Sequence, residues 1–484
     1  MAVAQSNSAT DTELRPLCVD LDGTLLRTDL LVESIFALYK QSILYLFLLP
    51  FWMFKGKAHL KQQIADRVDI DASLLPYHDD FLKYLRKERD QGRRLILATA
   101  SNEKFAEAVA RYLDIFHDVL ASNATYNLSG RRKLKRLQEL YGDNGFDYAG
   151  NAMVDVHLWK HAQQAVLVNP GRGVQAAAEQ QGPVAQVFVD RKGHDFKHYL
   201  KAMRLHQWLK NLLVFVPLLM AHRFDDVALV GQAVLAFLAF GLCASSVYLL
   251  NDLLDLPYDR QHPSKQMRPF AAGNISIIHG VLLIPILLVA AFGIALLLPI
   301  NFIGLLAFYY TITLVYSLRL KRIALVDVLT LAWLYTIRII AGAAAVAVVP
   351  SFWLLAFSLF LFLSLALVKR FTELLTLQQG KLENMGGRGY TSVDLEALSQ
   401  FGSASAYMAI LVLALYINSE AVRDLYTHPE IIWLLCPLLL YVMMRIWMMA
   451  RRNELHEDPV IFVIRDRCSQ WIAGIGAILM WLAV

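Results

Sequence analysis

The chain is poor in cysteine and in charge, with four cysteines among 484 residues and charged residues at only 18%. Cys18, Cys243, Cys436 and Cys468 are scattered without ligand spacing and two lie in apolar stretches, which points to buried thiols rather than a metal site. Residues 1–15 are polar and lack the apolar core of a secretory signal, so no cleaved signal peptide is expected. A large basic excess is missing too. The net charge of +5 is read as an orientation signal plus anion binding, with no nucleic-acid partner.

What is abundant is hydrocarbon. Hydrophobic residues make up 57% of the chain and the mean hydropathy is +0.43, but the apolar weight is uneven. Residues 1 to about 200 carry soluble patterning, whereas apolar runs of roughly 17–25 residues, the length that spans a bilayer, begin near Leu205. They can be drawn at about 205–221, 228–250, 276–297, 300–316, 323–348, 352–368, 403–418, 429–449 and 468–483, so the reading predicts about nine spans. Connections after alternate spans hold Arg260, Lys265, Arg268, Arg319, Lys321, Arg322, Lys369, Arg370, Lys381, Arg388, Arg451, Arg452, Arg465 and Arg467. The opposite connections hold little beyond Arg223 and Arg423. The positive-inside rule then places the basic loops and the N-terminal domain on the cytoplasmic face of an inner membrane, with the C-terminus opposite.

In the soluble part, residues 17–25 read LCVDLDGTL, a short apolar strand that ends in two carboxylates and a Gly-Thr turn. A strand-end carboxylate can attack phosphorus, and a second one two residues on can protonate the leaving oxygen and then activate water. The string resembles the first motif of the haloacid dehalogenase superfamily. That resemblance casts Asp20 as nucleophile, Asp22 as acid/base, Thr99 as the second-motif hydroxyl and Lys133 as the phosphate-gripping lysine, with Lys135 as its rival. It implies Mg2+ held around Asp20, Asp22, Asn151 and Asp155. Asn151 stands where the family has a carboxylate, and loss of that charge should weaken a hard-cation site. The implied fold over residues 16–190 is an α/β Rossmann-like sheet with a helical cap at about 26–91. Within the cap, residues 43–54 are wholly apolar yet too short to span; they read either as a membrane-interface segment or as buried cap core. A basic connector over 191–204 leads to the membrane part, 205–484.

The densest chemistry lies at Asn251–Pro269, NDLLDLPYDRQHPSKQMRP, beside the end of an apolar run. Asp252, Asp255 and Asp259 would share one helical face and attract a divalent cation, while Lys265 and Arg268 offer donors to phosphate oxygens. That combination suits a diphosphate leaving group. Pro257 removes a helical hydrogen bond, so Asp259 is expected on unwound backbone. The pattern resembles the UbiA superfamily of membrane prenyltransferases. Aromatic prenyltransferases of that kind would carry a second aspartate pair after the sixth span; this chain instead has Lys369, Arg370 and Arg388 beside Gly386, Gly387 and Gly389. Bases with exposed amides suit a second phosphate. With Lys210 and Asn211 in QWLKN, Asn251, Tyr316, Lys321 and Arg322, the set is similar to the decaprenyl-phosphate phosphoribosyltransferase branch of the superfamily.

The resemblances imply a bifunctional enzyme. The membrane half would transfer phosphoribose from 5-phosphoribosyl diphosphate to polyprenyl phosphate with Mg2+, and the head would remove the 5-phosphate. Two alternatives stay open: an isoprenyl-diphosphate aromatic prenyltransferase, and a transferase whose head, having Asn151, serves only for regulation or docking.

Overall fold

The computed structural model of the protein describes residues 14–42, 44–189, 196–262, 265–378, 389–419, 422, 426–455 and 458–483. It divides into two compact units. One groups residues up to Ala202 with Asp252–Val281; the other groups Met203–Asn251 with Leu282–Val484.

The first unit is built on six strands, β1 (Leu17–Val19), β2 (Leu95–Asn102), β3 (Asp118–Ser122), β4 (Asp147–Gly150), β5 (Ala165–Val168) and β6 (Val184–Phe188). All neighbours pair in parallel, in the order β3-β2-β1-β4-β5-β6. Strands buried on both faces read as continuous apolar runs, which is how LCV and AVLV read here. Leu17, Val19 and Leu97 pack into one core layer, and Cys18, Ile96 and Tyr148 into the layer on the other face. The chain order reverses at β1, between β2 and β4, so the crevice beyond the carboxyl ends of β1 and β4 is where a ligand site is expected.

The cap over that crevice comprises helices Leu30–Gln41, Leu44–Phe54 and Lys57–Ala65. Asp29 caps the first, its carboxylate accepting from Val32 N at 3.1 Å. In the wholly apolar second helix only Trp52 is buried, against Leu38, Leu60, Ile64 and Val68. Leu44, Phe47 and Phe51 are about two-thirds exposed and Phe54 is 89% exposed, so of the two readings of this segment the interfacial one is favoured over buried cap core.

Segment 252–281 belongs to the same unit because it packs on that cap. Arg260 donates to both Glu33 carboxylate oxygens, at 2.9 and 2.6 Å, and Thr28 Oγ1 donates to Glu33 at 2.6 Å. Gly273, at φ +69°, lies against Arg27 and Pro76, where a side chain would collide.

Seven helices are long and apolar enough to cross a membrane among the described residues: Val227–Leu254, Ile277–Ala295, Ile300–Leu318, Val326–Ala345, Phe352–Gln378, Ser392–Ile417 and Pro429–Arg451. Sequence reading predicts about nine, and the first and last of those fall short as single α-helices. The last, Arg467–Ala483, has 17 residues. The first is a 3-10 helix over Leu205–Phe215 followed by a short α-helix, Val216–Met220. At about 2.0 Å per residue a 3-10 segment covers more length than its residue count suggests. The core of the second unit forms where Val326–Ala345 and Phe352–Gln378 bury Ala332, Tyr335, Phe362 and Val368 with Trp447.

Candidate active sites

Asp20 follows β1 directly, anchored by its N–H to Ala149 O at 3.0 Å. The backbone turns back through Gly23, at φ +76°, a conformation open to glycine and strained for other residues. A cavity of about 220 Å³ lies there, walled by Asp20, Asp22, Asp29, Lys61, Ser101, Lys133 and Asp155 among others. Lys133 Nζ donates to Asp20 Oδ1 at 2.7 Å and to the Tyr148 hydroxyl at 2.9 Å, with its side chain almost fully buried. Lys135 instead faces Glu139 on the exposed side of the same helix.

Asp22 is held by neutral donors: Leu30 N at 2.9 Å on one oxygen and Ser101 Oγ at 2.6 Å on the other. Burial, with the charge of Asp29 added, pushes its carboxyl up to about 7, so it holds a proton near neutrality. Asp155 accepts from Asn151 N at 3.1 Å and Ala152 N at 3.0 Å, and burial beside Asp20 raises it to about 6. Thr99 does not line the cavity. Its hydroxyl accepts from Ser101 N at 3.0 Å and so caps the irregular end of β2, which leaves Ser101 as the hydroxyl on the wall. Sequence reading missed Ser101 as well as Lys61, a cap-helix lysine that donates to Asn127 Oδ1 at 2.9 Å and whose burial lowers its pKa.

The cavity's donor chemistry suits a hard cation in kind. Asp20 and Asp155 are oxygen donors that repel each other, and Asn151 packs its amide against Gly23. Among the described residues no three acidic, histidine or cysteine side chains group closely enough to hold a metal. Carbonyl oxygens and the Asn151 amide would have to complete the shell.

In the acidic segment, helix Val227–Leu254 ends one residue before the break, and a short helix, Leu256–Gln261, follows with Pro257 in its first turn. The unwound residue is therefore Asp255, and Asp259 is helical, contrary to the expectation from Pro257. A proline in the first turn costs no helical bond, because that N–H has no partner there in any helix. The break also parts the three acids. Asp252 and Asp259, each 2% exposed, share Arg268 Nη1 at 3.1 and 2.6 Å. Asp255 instead faces Lys40 of the cap at 3.8 Å. Burial raises Asp259 to about 6 despite Arg268. Lys265 sits in the turn before Arg268, near enough to Asp259 to pull its pKa down. Asn251 Oδ1 is buried without a hydrogen-bond partner. The two buried carboxylates of Asp252 and Asp259 are hard oxygen donors of the kind that suits a cation.

The second unit holds its own basic cluster. Lys210 and Lys369 both donate to Asp458 Oδ2, at 2.7 and 3.1 Å, and although burial works against ionisation the two ammonium groups hold this carboxyl well below the usual range. Asn211 Oδ1 accepts from Arg338 Nε at 2.9 Å while its buried Nδ2 has no partner. Arg370 is almost fully buried and pairs with Asp327 and Glu373, and Tyr316 donates to the same Asp327 at 2.7 Å. Arg370 and Tyr316 thus form a packed ionic network around Asp327. Lys321 and Arg322 lie on a short turn, Leu320–Arg322, with Arg322 exposed. Arg388, with Lys381, Gly386 and Gly387, lies outside the described residues.

Comparison with known proteins agrees with both halves. The pattern of the UbiA prenyltransferase family matches residues 212–463, and that of haloacid dehalogenase-like hydrolases matches residues 17–159. The chain is 38% identical over 466 residues to the uncharacterized protein y4nM of Sinorhizobium fredii, covering 96% of this chain and 90% of that one. It is 32% identical to nodulation protein NoeC of Azorhizobium caulinodans, over 57% of this chain and 89% of the relative. Decaprenyl-phosphate phosphoribosyltransferase of Mycobacterium tuberculosis is 31% identical over 57% of this chain and 93% of its own length. Both relatives of known name align with little more than half of the chain, whereas y4nM spans nearly all of it. The chain is a multi-pass membrane protein that belongs to the UbiA prenyltransferase family and carries a haloacid dehalogenase-like domain at its N-terminal end.

Proposed function

We propose that the membrane half transfers phosphoribose from 5-phosphoribosyl diphosphate to a polyprenyl phosphate, and that the head then removes the 5-phosphate. The reading is supported within each unit separately: a buried acid group at Asp252 and Asp259 in the first, and a lysine cluster, rather than a second acid pair, at Lys210 and Lys369 in the second. An oxygen of the lipid phosphate attacks the anomeric carbon, the bond to diphosphate breaks, and the electron pair leaves with the diphosphate. Mg2+, held by Asp252 and Asp259 with Asp255 in support, would supply charge neutralisation for that leaving group. Arg268 and Lys265 take up its remaining charge. Lys210, Lys369, Lys321, Arg322 and Arg388 hold the other phosphates, and Arg370, Tyr316 and Asn211 with Arg338 fix the walls.

In the head, Asp20 attacks phosphorus, the ribose O5 departs with the proton of Asp22, and an aspartyl phosphate remains. Water then attacks it, giving its proton to Asp22 and releasing inorganic phosphate. The raised Asp22 suits the first half of this cycle, and Lys133 orients Asp20 and balances charge on the phosphoryl oxygens. Mg2+ at Asp20, Asp155 and Asn151 would add further charge there. The site-bearing loops and the head would face the cytoplasm, on an inner membrane, as the loop charges predict. A tethered phosphatase meets a membrane-held product at high effective concentration.

The test is product analysis by mass spectrometry with purified full-length protein, Mg2+, 5-phosphoribosyl diphosphate and decaprenyl phosphate. Phosphoribosyl lipid and its dephosphorylated form are expected. Turnover of an isoprenyl diphosphate with an aromatic acceptor, and none with the pentose donor, would overturn the reading. An unaltered phosphoribosyl lipid would leave the head as a docking module.

A further inference from the structure

A second cavity, of about 460 Å³, adjoins the phosphatase cavity and plays no part in the chemistry described above. Its wall carries Lys55, Lys57, Arg131 and Arg132, with Asn127 and Ser129 between them. None of the four bases meets a carboxylate among the described residues, although ion pairs are common elsewhere on this unit. Arg132 lies over the Tyr126 ring at 5.4 Å.

The two cavities share Ser129 and are linked by a short chain of hydrogen bonds. Lys61 Nζ, on the first wall, donates to Asn127 Oδ1 at 2.9 Å, and Asn127 Nδ2 donates to Ser129 Oγ at 2.8 Å. A single helical turn divides its bases between them: Lys133 points at Asp20 while Arg131 and Arg132 line the second cavity. The basic cavity also starts where the apolar cap helix stops. Leu44–Phe54, with Phe47, Phe51 and Phe54 exposed, runs directly into Lys55 and Lys57.

Resting on the reading of the head as a phosphatase for a lipid-linked phosphosugar, we propose that this basic cavity is a substrate subsite that holds the phosphodiester of that lipid while the terminal phosphate occupies the cavity of Asp20. A substrate with two phosphates, one monoester and one diester to a long hydrocarbon, matches three adjoining surfaces in order: the acid and lysine cavity, the four unpaired bases, and the exposed apolar helix. The bases attract the diester anion, and the helix Leu44–Phe54 lies in hydrocarbon beside the isoprenoid chain. Selectivity for a lipid-linked substrate over a soluble sugar phosphate follows, since the latter engages only the first cavity.

Full-length protein in detergent micelles tests this with two phosphate donors, 5-phosphoribosyl-1-phosphodecaprenol and ribose 5-phosphate. The Lys57→Gln/Arg131→Gln variant should raise KM for the lipid by about 10-fold or more, with kcat retained and ribose 5-phosphate hydrolysis unchanged, the pattern of lost uniform binding. Decaprenyl phosphate alone should compete with the lipid substrate in the parent and compete much less in the variant. An unchanged lipid KM overturns the subsite. Equal loss on both donors overturns it too, as general damage to the phosphatase cavity. Parent protein that hydrolyses ribose 5-phosphate but never the lipid fails the proposed function itself, and is told apart by the parent's own profile.

Discussion

The head and the acidic segment both crowd carboxylates, and they neutralise them differently. In the head, Lys133 takes Asp20 alone, while Asp22 and Asp155 are held by neutral N–H and O–H donors. In the segment, one guanidinium, Arg268, takes Asp252 and Asp259 together. A neutral donor leaves a buried acid free to keep its proton, as Asp22 does with its pKa near 7, which suits the proposed division of the head's acids into a nucleophile and a proton donor. A shared cation ties two acids to one guanidinium, which suits joint binding of a charged group better than proton transfer. The contrast fits the proposed function, covalent chemistry in the first region and electrostatic chemistry in the second.

The sharpest way to break that contrast is to remove one acid from each. Asp20→Asn should abolish phosphate release, by on the order of 10³-fold or more, because an amide is no nucleophile toward phosphorus. Lipid transfer should continue and the 5-phosphorylated lipid should accumulate. Asp252→Asn should lower transfer by on the order of 10²–10³-fold while ribose 5-phosphate hydrolysis stays at the parental rate. Separate quantification of pentosyl lipid and inorganic phosphate checks both. If each variant lost both reactions together, the two regions would form one site and the division of labour would fall.

A next step asks whether the regions are mechanically independent. Glu33 and Arg260 join the cap to the acidic segment through a bidentate pair in which both side chains are under a tenth exposed. Glu33→Ala leaves a guanidinium buried without its partner, at a cost of about 3–5 kcal/mol. Thermal melting in detergent should fall accordingly, and protease cleavage within 252–281 should speed up. Glu33→Met with Arg260→Leu should recover much of the loss, since an apolar pair needs no counter-charge. Unchanged melting of the single variant would show that the pair holds nothing together.

Much of this architecture is readable from residue order alone. The strand that ends in DLDGT, the apolar runs and the acidic segment each carry a local pattern, because their geometry is set by neighbours in sequence. Thr99 illustrates the limit: its strand position was legible, but which hydroxyl reaches the cavity depends on a register irregularity between β2 and β3. Asp255 illustrates another, since i, i+3, i+7 spacing puts three acids on one face only if the helix is continuous, and Pro257 instead starts a new helix one residue after it. Neither Lys61 nor the second basic cavity was legible, because both join a cap segment to one about 70 residues away that meets it only in the folded head. The Lys210–Asp458 contact is more distant still.

Lys133→Met sharpens the electrostatic side of the comparison. It removes the charge that Asp20 meets at 2.7 Å while keeping most of the buried volume. Phosphate release should drop by about 10²-fold, the scale of losing one fixed donor to a developing phosphoryl charge. Lys135→Met, on the exposed side of the same helix, should stay within twofold of the parent, by the general mildness of surface substitutions. Phosphate release by both variants, measured at saturating ribose 5-phosphate, decides which lysine serves the cavity; a larger loss at Lys135 would reverse the assignment.

A smaller effect than that of Lys133 is expected at Asn151, whose backbone N–H donates to Asp155 and whose amide packs against the Gly23 turn. A carboxylate there would add a negative charge beside Asp20, Asp22 and Asp155, in a cavity where burial already pushes two of those acids up to about 7 and 6. Two opposed consequences follow from the one charge. A hard cation should bind more tightly, so Asn151→Asp is expected to lower the Mg2+ concentration for half-maximal phosphate release several-fold, up to about 10-fold. Without the cation, the added repulsion should lower the melting temperature of the head relative to the parent. Mg2+ titration of phosphate release, paired with melting curves in chelator, measures the two together. A carboxylate that destabilised the chelated protein yet left the Mg2+ requirement unchanged would place Asn151 beside the acids but away from the cation, and the lost charge would then not limit catalysis.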